Sequence, residues 1–255
     1  MITDTEGIVL KQVKAAYGRR MVLLFSKKYG KISAGTSITE KGRNKSALAM
    51  RPFTYGRYEL FKNRDSFHVN SAEVLKSYYK IGEDVDKYMN SSYILEFTEK
   101  VLPEEQPSLA MFSLILDFFA AMENRKKSHG TLVLGYEIKT LKIMGIMPRL
   151  EQCVCCDASC GRENPPMYFH IGEGGVVCGN CGKELEIPAN DTLIYPLNFG
   201  IVDILKYFSA HSLKNFENLA LEEKVRRQLQ TMIRHYAAYY LDIGELKSES
   251  FLREY

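Results

Sequence analysis

All six cysteines of the chain fall between Cys153 and Cys181. Cys153 and Cys156 form one C-x-x-C knuckle, Cys178 and Cys181 form a second, and twenty-one residues separate the pairs. Each knuckle can aim two thiolates at one tetrahedral Zn²⁺ while the loop between them supplies a hairpin, which is the spacing of a zinc ribbon. Four sulfur ligands leave no coordination position for water, so the expected cofactor is one structural Zn²⁺ and not a catalyst. In a segment of about 35 residues with little apolar content, the metal would supply folding free energy on the order of 10 kcal/mol.

Other uses of these thiols fit less well. A disulfide framework needs an oxidising compartment. The N-terminal "MITDTEGIVLKQ" carries early acidic residues and no small-residue cleavage site, so it does not read as a signal peptide, and a cytoplasmic protein is expected. A redox C-x-x-C would stand alone at a helix start in a βαβ setting. Cys155 and Cys160 are extra thiols, and spacing alone leaves open whether either replaces Cys156 as a ligand. His170 lies in the loop, but four cysteines already close the tetrahedron.

The net charge of +3 conceals an asymmetry. Residues 1–82 carry sixteen Lys and Arg against six Asp and Glu, whereas the remainder carries eighteen against twenty-five. The first part should therefore attract polyanions and the second should not. Its candidate nucleic-acid contacts are Lys11, Lys14, Arg19, Arg20, Lys27, Lys28 and Lys31 along the first strands, with Lys41, Arg43, Lys45 and Arg51 in the loop that follows. Tyr17, Tyr29, Tyr55 and Tyr58 lie near these charges and suit either base stacking or barrel packing.

The elements that must position these groups are legible in the patterning. Residues 7–13, 19–26, 31–37, 53–61 and 66–69 are β-branched or aromatic, with "AAYG" and "KKYG" as turns. Five strands with no long helical segment between them predict a small closed barrel, of OB type first and SH3-like type second. The loop 38–52 has room for a helical turn at 46–50, and Ser71 is placed to cap a short helix. Beyond it the period becomes 3.6: Tyr88, Tyr93, Ile94, Phe97 and Val101 share a face, and helices are predicted over 108–124, 131–147, 198–208 and 219–241. The run 109–122 is the most apolar, yet it contains Asp117 and falls short of the roughly 20 residues a bilayer span needs. The expected class is multidomain α+β. Residues 1–80 form the OB-fold nucleic-acid-binding domain and 81–150 the first part of a helical domain; 151–190 are the zinc-ribbon insertion and 191–255 the second helical part.

No phosphate loop, nucleophile elbow, kinase signature or recognition helix is present in the sequence. An OB barrel with a zinc ribbon suits RNA as well as DNA on physical grounds, so an RNA-binding factor is the alternative.

The order of basic barrel, helical domain and inserted four-cysteine ribbon resembles the RecO family of bacterial recombination mediators. The most specific stretches are "GYEIKTLKIMGIMPRLEQCVCC" (135–156) and "GEGGVVCGNC" (172–181), which look like that family's helix and two knuckles. "EGIVLKQV" and "SKKYGKISAGTSITEKGRNKS" are similar to its first strand and its strand–turn–strand with a basic loop. The resemblance implies a non-enzymatic DNA-repair protein that binds single- and double-stranded DNA and anneals complementary strands. It also implies association with RecR and with the tail of the single-strand-binding protein, and help for RecA in replacing that protein on DNA. Cys153, Cys156, Cys178 and Cys181 would be the zinc ligands, the basic barrel the DNA surface, and the location cytoplasmic at the nucleoid. An acidic, apolar tail would need an apolar pocket with a basic rim, for which Arg125, Lys126, Lys127, Lys139 and Lys142 are uncommitted candidates.

Overall fold

In the computed structural model, described over residues 1–14, 20–38, 45–64, 66–185, 191–216 and 218–252, the N-terminal strand is long enough to serve two neighbours. β1 (Ile2–Lys14) pairs through its second half with β2 (Arg20–Ser26) and through its first half with β4 (Thr54–Lys62). β3 (Gly30–Thr36) follows β2, and β5 (Phe67–Ser77) closes the barrel in the order β1-β2-β3-β5-β4. All pairs are antiparallel except β3 with β5, where Ala34–Thr36 run alongside Phe67–Val69. A five-residue helix, α1 (Lys45–Ala49), packs Ala49 against the barrel core and accepts the Tyr58 hydroxyl on the Ala49 carbonyl at 2.7 Å. Alternate residues such as Val22, Leu24, Ile32, Leu60 and Val69 fill the interior, as the period-2 geometry of a closed sheet demands.

Two sequence expectations in this region are corrected. β1 begins at Ile2, not at residue 7. Residues 70–77 continue β5 and form no helix capped by Ser71: Ser71, Ala72 and Val74 face Glu59, Tyr58 and Gly56 across the ladder. Pairing with β4 satisfies the backbone there and overrides the helix-favouring "SAEVLK" composition.

The chain divides into two units, Met1–His129 with Glu245–Tyr255, and Gly130–Gly244. The first unit thus holds residues 81–129 together with the barrel. α2 (Val85–Val101) is capped by Asp84, whose carboxylate accepts the Lys87 N–H, and α3 (Leu109–Asn124) by Ser108, whose hydroxyl accepts the Met111 N–H. The apolar face of α3 lies on the barrel, with Phe112 edge-on to Phe25 at 5.3 Å and Phe119 to Phe53 at 5.7 Å. The returning segment is anchored on α2 by Glu96, whose carboxylate accepts the Lys247 and Ser248 N–H groups at 3.0 and 2.8 Å.

The turn between β2 and β3 is sealed from outside. Gly30 has φ +71°, and a Cβ there would sit 2.3 Å from the Gln106 carbonyl oxygen. Replacing Gly30 by alanine adds left-handed strain, about 1–2 kcal/mol, to a backbone clash that only movement of the 104–106 segment relieves. The expected result is a drop in melting temperature of at least about 5 °C, measured by circular dichroism, against no change for Gly82→Ala, where the added methyl meets nothing.

The second unit starts with α4 (His129–Ile143), whose first residue belongs to the first unit. This helix stops four residues before the predicted end at 147. Gly145 takes φ +74°, and the Ile146 N–H returns to the Leu141 carbonyl, so a left-handed glycine cap ends the helix before Pro148 acts. β6 (Pro166–His170), β7 (Gly175–Cys178) and β8 (Ile194–Pro196) form a three-stranded antiparallel sheet in the order β7-β6-β8, with the short helix α5 (Gly179–Glu184) following β7. α6 (Ile201–Ala210) and α7 (Glu223–Leu241) complete the unit. Glu137 of α4 and Arg234 of α7 form a nearly dry ion pair at 3.1 Å.

Candidate metal centre and nucleic-acid surface

The first knuckle is a tight turn in which Asp157 takes φ +58° and returns its N–H to the Cys153 carbonyl at 3.0 Å. The second is built where β7 ends at Cys178 and α5 begins, which places Cys181 one turn on. The Sγ atoms of Cys153, Cys156, Cys178 and Cys181 all lie within 4.8 Å of one another, and Cys156 and Cys178 are 3.9 Å apart. Thiolates bound at about 2.3 Å to one tetrahedral zinc stand about 3.8 Å apart, so the donor set and its spacing fit such an ion. The backbone is preset for thiolates as well: Cys153 Sγ accepts the N–H groups of Cys155 and Cys178 at 3.4 and 3.3 Å. The Cys181 N–H lowers the Cys178 thiol, while side-chain hydrogen bonding with Cys156 and Cys178 raises that of Cys181, so the sulfurs share their protons as one cluster. Burial pushes Cys160 up to about 11. Cys155 is exposed, and neither it nor Cys160 belongs to the converging group. His170 is occupied elsewhere, accepting the Glu173 N–H on Nδ1.

On the barrel, Lys27 is half exposed and paired with Glu6 at 2.7 Å. The Lys27 ammonium and the Tyr55 hydroxyl hold the Glu6 carboxyl below the usual range, while burial, and then Glu6, pushes the Tyr55 phenol up to about 12. Lys28 is exposed, donates to Thr3 Oγ1 at 2.8 Å and lies 5.2 Å from the Tyr29 ring centre. Lys11 is exposed and reaches Glu99 at 3.4 Å. Arg20 is half-buried opposite Thr36, and Arg51 is exposed. Lys31 departs from the expectation. It is only 8% exposed, bonds the Glu99 carbonyl at 2.8 Å and pairs with Glu104 at 3.1 Å, because the α2–α3 connection covers it. Lys14 and Lys45 are placed at the ends of β1 and α1 by their backbones; Arg19, Lys41 and Arg43 lie outside the described residues.

Of the four tyrosines, Tyr58 is fully buried and serves the barrel core, and Tyr17 lies outside the described residues. Tyr29 remains half-exposed beside Phe67, with ring centres 5.3 Å apart. Burial raises its phenol, but hydrogen bonds with Thr3 and Lys28 and the charges of Lys28 and Lys62 prevail and lower it.

Two family models together span nearly the whole chain: the one described as "Recombination protein O N terminal" matches residues 1–78, and "Recombination protein O C terminal" matches 82–250. The chain belongs to the RecO family. Its relatives named "DNA repair protein RecO" include one from Alkaliphilus metalliredigens, 30% identical over 95% of both chains. A second, from Thermoanaerobacter sp., is 27% identical over 98% of this chain and 97% of its own. A third, from Bacillus pumilus, is 24% identical over 100% and 94%.

In this RecO-family chain two barrel cations escaped the sequence reading. Lys62 Nζ lies 4.9 Å from the Tyr29 ring centre and 5.1 Å from that of Phe67, and Arg57 lines a shallow cleft of about 310 Å³ with Lys27, Lys28 and Glu6. Both sit on β4; the available signal in "YGRYELFK" was exposed Arg57 between inward Gly56 and Tyr58, whereas Lys62 follows the exposed Phe61 at the strand's end and breaks the alternation. The uncommitted cations scatter. Arg125 is buried with its Nε on the Ser128 carbonyl, and Lys126 and Lys127 are exposed. Lys139 and Lys142 both donate to the Ser209 carbonyl near the C-terminus of α6. Among the described residues no helix is long and apolar enough to cross a membrane.

Proposed function

We propose that the chain is a DNA-repair protein that binds single- and double-stranded DNA through its barrel and anneals complementary strands. In the same reading it acts with RecR to help RecA replace the single-strand-binding protein, whose tail it recognises, and it works in the cytoplasm at the nucleoid without bond-making chemistry of its own. The relatives' shared name supports the repair role. The barrel is read as OB type, supported by its strand order and by the helix between β3 and β4. The cysteine knuckles are read as a zinc ribbon holding one structural Zn²⁺, supported by the convergence of four sulfurs.

The observation that carries the DNA reading is the cationic group of the barrel, exposed Lys27, Lys28 and Arg57 with half-buried Lys62, and Tyr29 beside Lys28 and Lys62. Annealing requires that two phosphate backbones be screened while bases stay free to pair, and lysines on a closed sheet do this without reading sequence. Tyr29 offers a ring on which an unpaired base stacks in a sequence-tolerant way. The test is competition at matched length: unlabelled single-stranded DNA should displace a labelled DNA oligonucleotide at least as well as RNA does. Displacement by RNA at a tenth of the concentration would move the chain to RNA work.

A further inference from the structure

A cleft of about 870 Å³ opens on the second unit between the ribbon and the start of α6. Its lining includes Pro165, Pro166 and Phe199, with Arg162, Lys206 and a single carboxylate, Asp203. Phe199 is fully exposed. The loop that carries it is nonetheless tied down: the Leu197 N–H reaches the Met167 carbonyl at 2.9 Å, and Asn198 donates to Gln228 Oε1 at 2.8 Å. An ordered loop that holds an uncovered phenyl ring at the lip of a cleft forgoes the burial that normally fixes a phenylalanine.

The chemistry around that ring selects its occupant. Two cations against one carboxylate make the lining net positive. Lys206 also reaches Glu151 at 2.8 Å, whereas Arg162 is exposed and has no ion pair among the described residues. An open ring beside two proline rings presents flat apolar faces and no deep socket, which suits a planar base better than the side-chain anchor of a peptide. An arginine alongside supplies the phosphate contact.

We propose that this cleft is a second single-strand site, in which one or two unpaired bases stack on Phe199 while Arg162 holds the adjoining phosphate. The inference rests on the DNA-binding reading above and adds to it a place for a strand away from the barrel. Paired bases cannot stack there, so the site distinguishes single-stranded from double-stranded DNA.

The chain contains no tryptophan, so full-length Phe199→Trp carries one reporter at the site. Titration with oligo-dT is expected to quench its emission in step with binding measured by anisotropy of a labelled strand. Phe199→Ala is expected to weaken single-strand binding by about 10-fold and leave duplex affinity within twofold. Binding seen by anisotropy with unchanged tryptophan emission would overturn the cleft while leaving the barrel reading intact. A response to an acidic, apolar-ended peptide without one to oligo-dT would also overturn it, as a peptide site. Absence of any oligonucleotide binding would remove the DNA reading and this inference together.

Discussion

Cys178→Ser is expected to abolish metal binding and unfold the ribbon while affinity for duplex DNA, held by the barrel, stays within about twofold. The cluster beside the sulfurs is small: Cys153, Val177 and Cys178 are buried, with Val154, Cys160, Tyr168 and Cys181 packed around them. A structural zinc contributes on the order of 10 kcal/mol, comparable with the whole stability of a typical domain, about 5–15 kcal/mol. Metal analysis should give about one zinc per wild-type chain and none for the variant, and limited proteolysis should newly cut the variant between residues 151 and 185. Cys155→Ser and Cys160→Ser should retain the metal, because neither sulfur lies in the converging group. A Cys178→Ser chain that holds zinc and resists protease would refute the clamp.

The second large effect concerns the barrel. Lys28→Ala with Lys62→Ala removes the two cations that flank Tyr29. Each phosphate left without its neutralising lysine should reduce the slope of log affinity against log salt by about 0.7 for single strands, so the double variant should flatten it by about 1.4. Affinity at low salt should fall by about 10- to 100-fold, about 1.4 kcal/mol for each factor of ten. Lys31→Ala behaves differently. Its ammonium is buried against the α2–α3 connection, so the substitution should lower melting temperature and leave the salt slope unchanged. An unaltered slope in the Lys28/Lys62 variant would place the DNA on another surface.

These two experiments mark what could be read from residues alone. The convergence of four sulfurs was legible because it is encoded in local spacing: two C-x-x-C turns admit few arrangements, and Cys153, Cys156, Cys178 and Cys181 come together as that spacing predicts. The helices were legible for the same local reason, with Asp84 and Ser108 at their caps. What escaped depended on neighbours distant in sequence. Lys31 read as a surface charge because nothing near it in the chain reveals that residues 99–104 will cover it. Lys62 did not read as a site residue because only closure of the barrel brings it over Tyr29. Residues 70–77 carry a helical composition that the ladder with β4 overrules. The joining of α2 and α3 to the barrel in one unit follows from pairs such as Phe25 with Phe112, which no periodicity announces.

In the proposed function the barrel's cations bring two strands together. The measurement that bears on it most directly is the rate at which two complementary oligonucleotides pair at low salt, with and without the purified chain. The wild-type chain should accelerate pairing, lose the acceleration as salt rises, and lose most of it at low salt when Lys28 and Lys62 are replaced by alanine. Pairing no faster than that of the free strands, or an acceleration that the Lys28/Lys62 variant retains in full, would contradict the account.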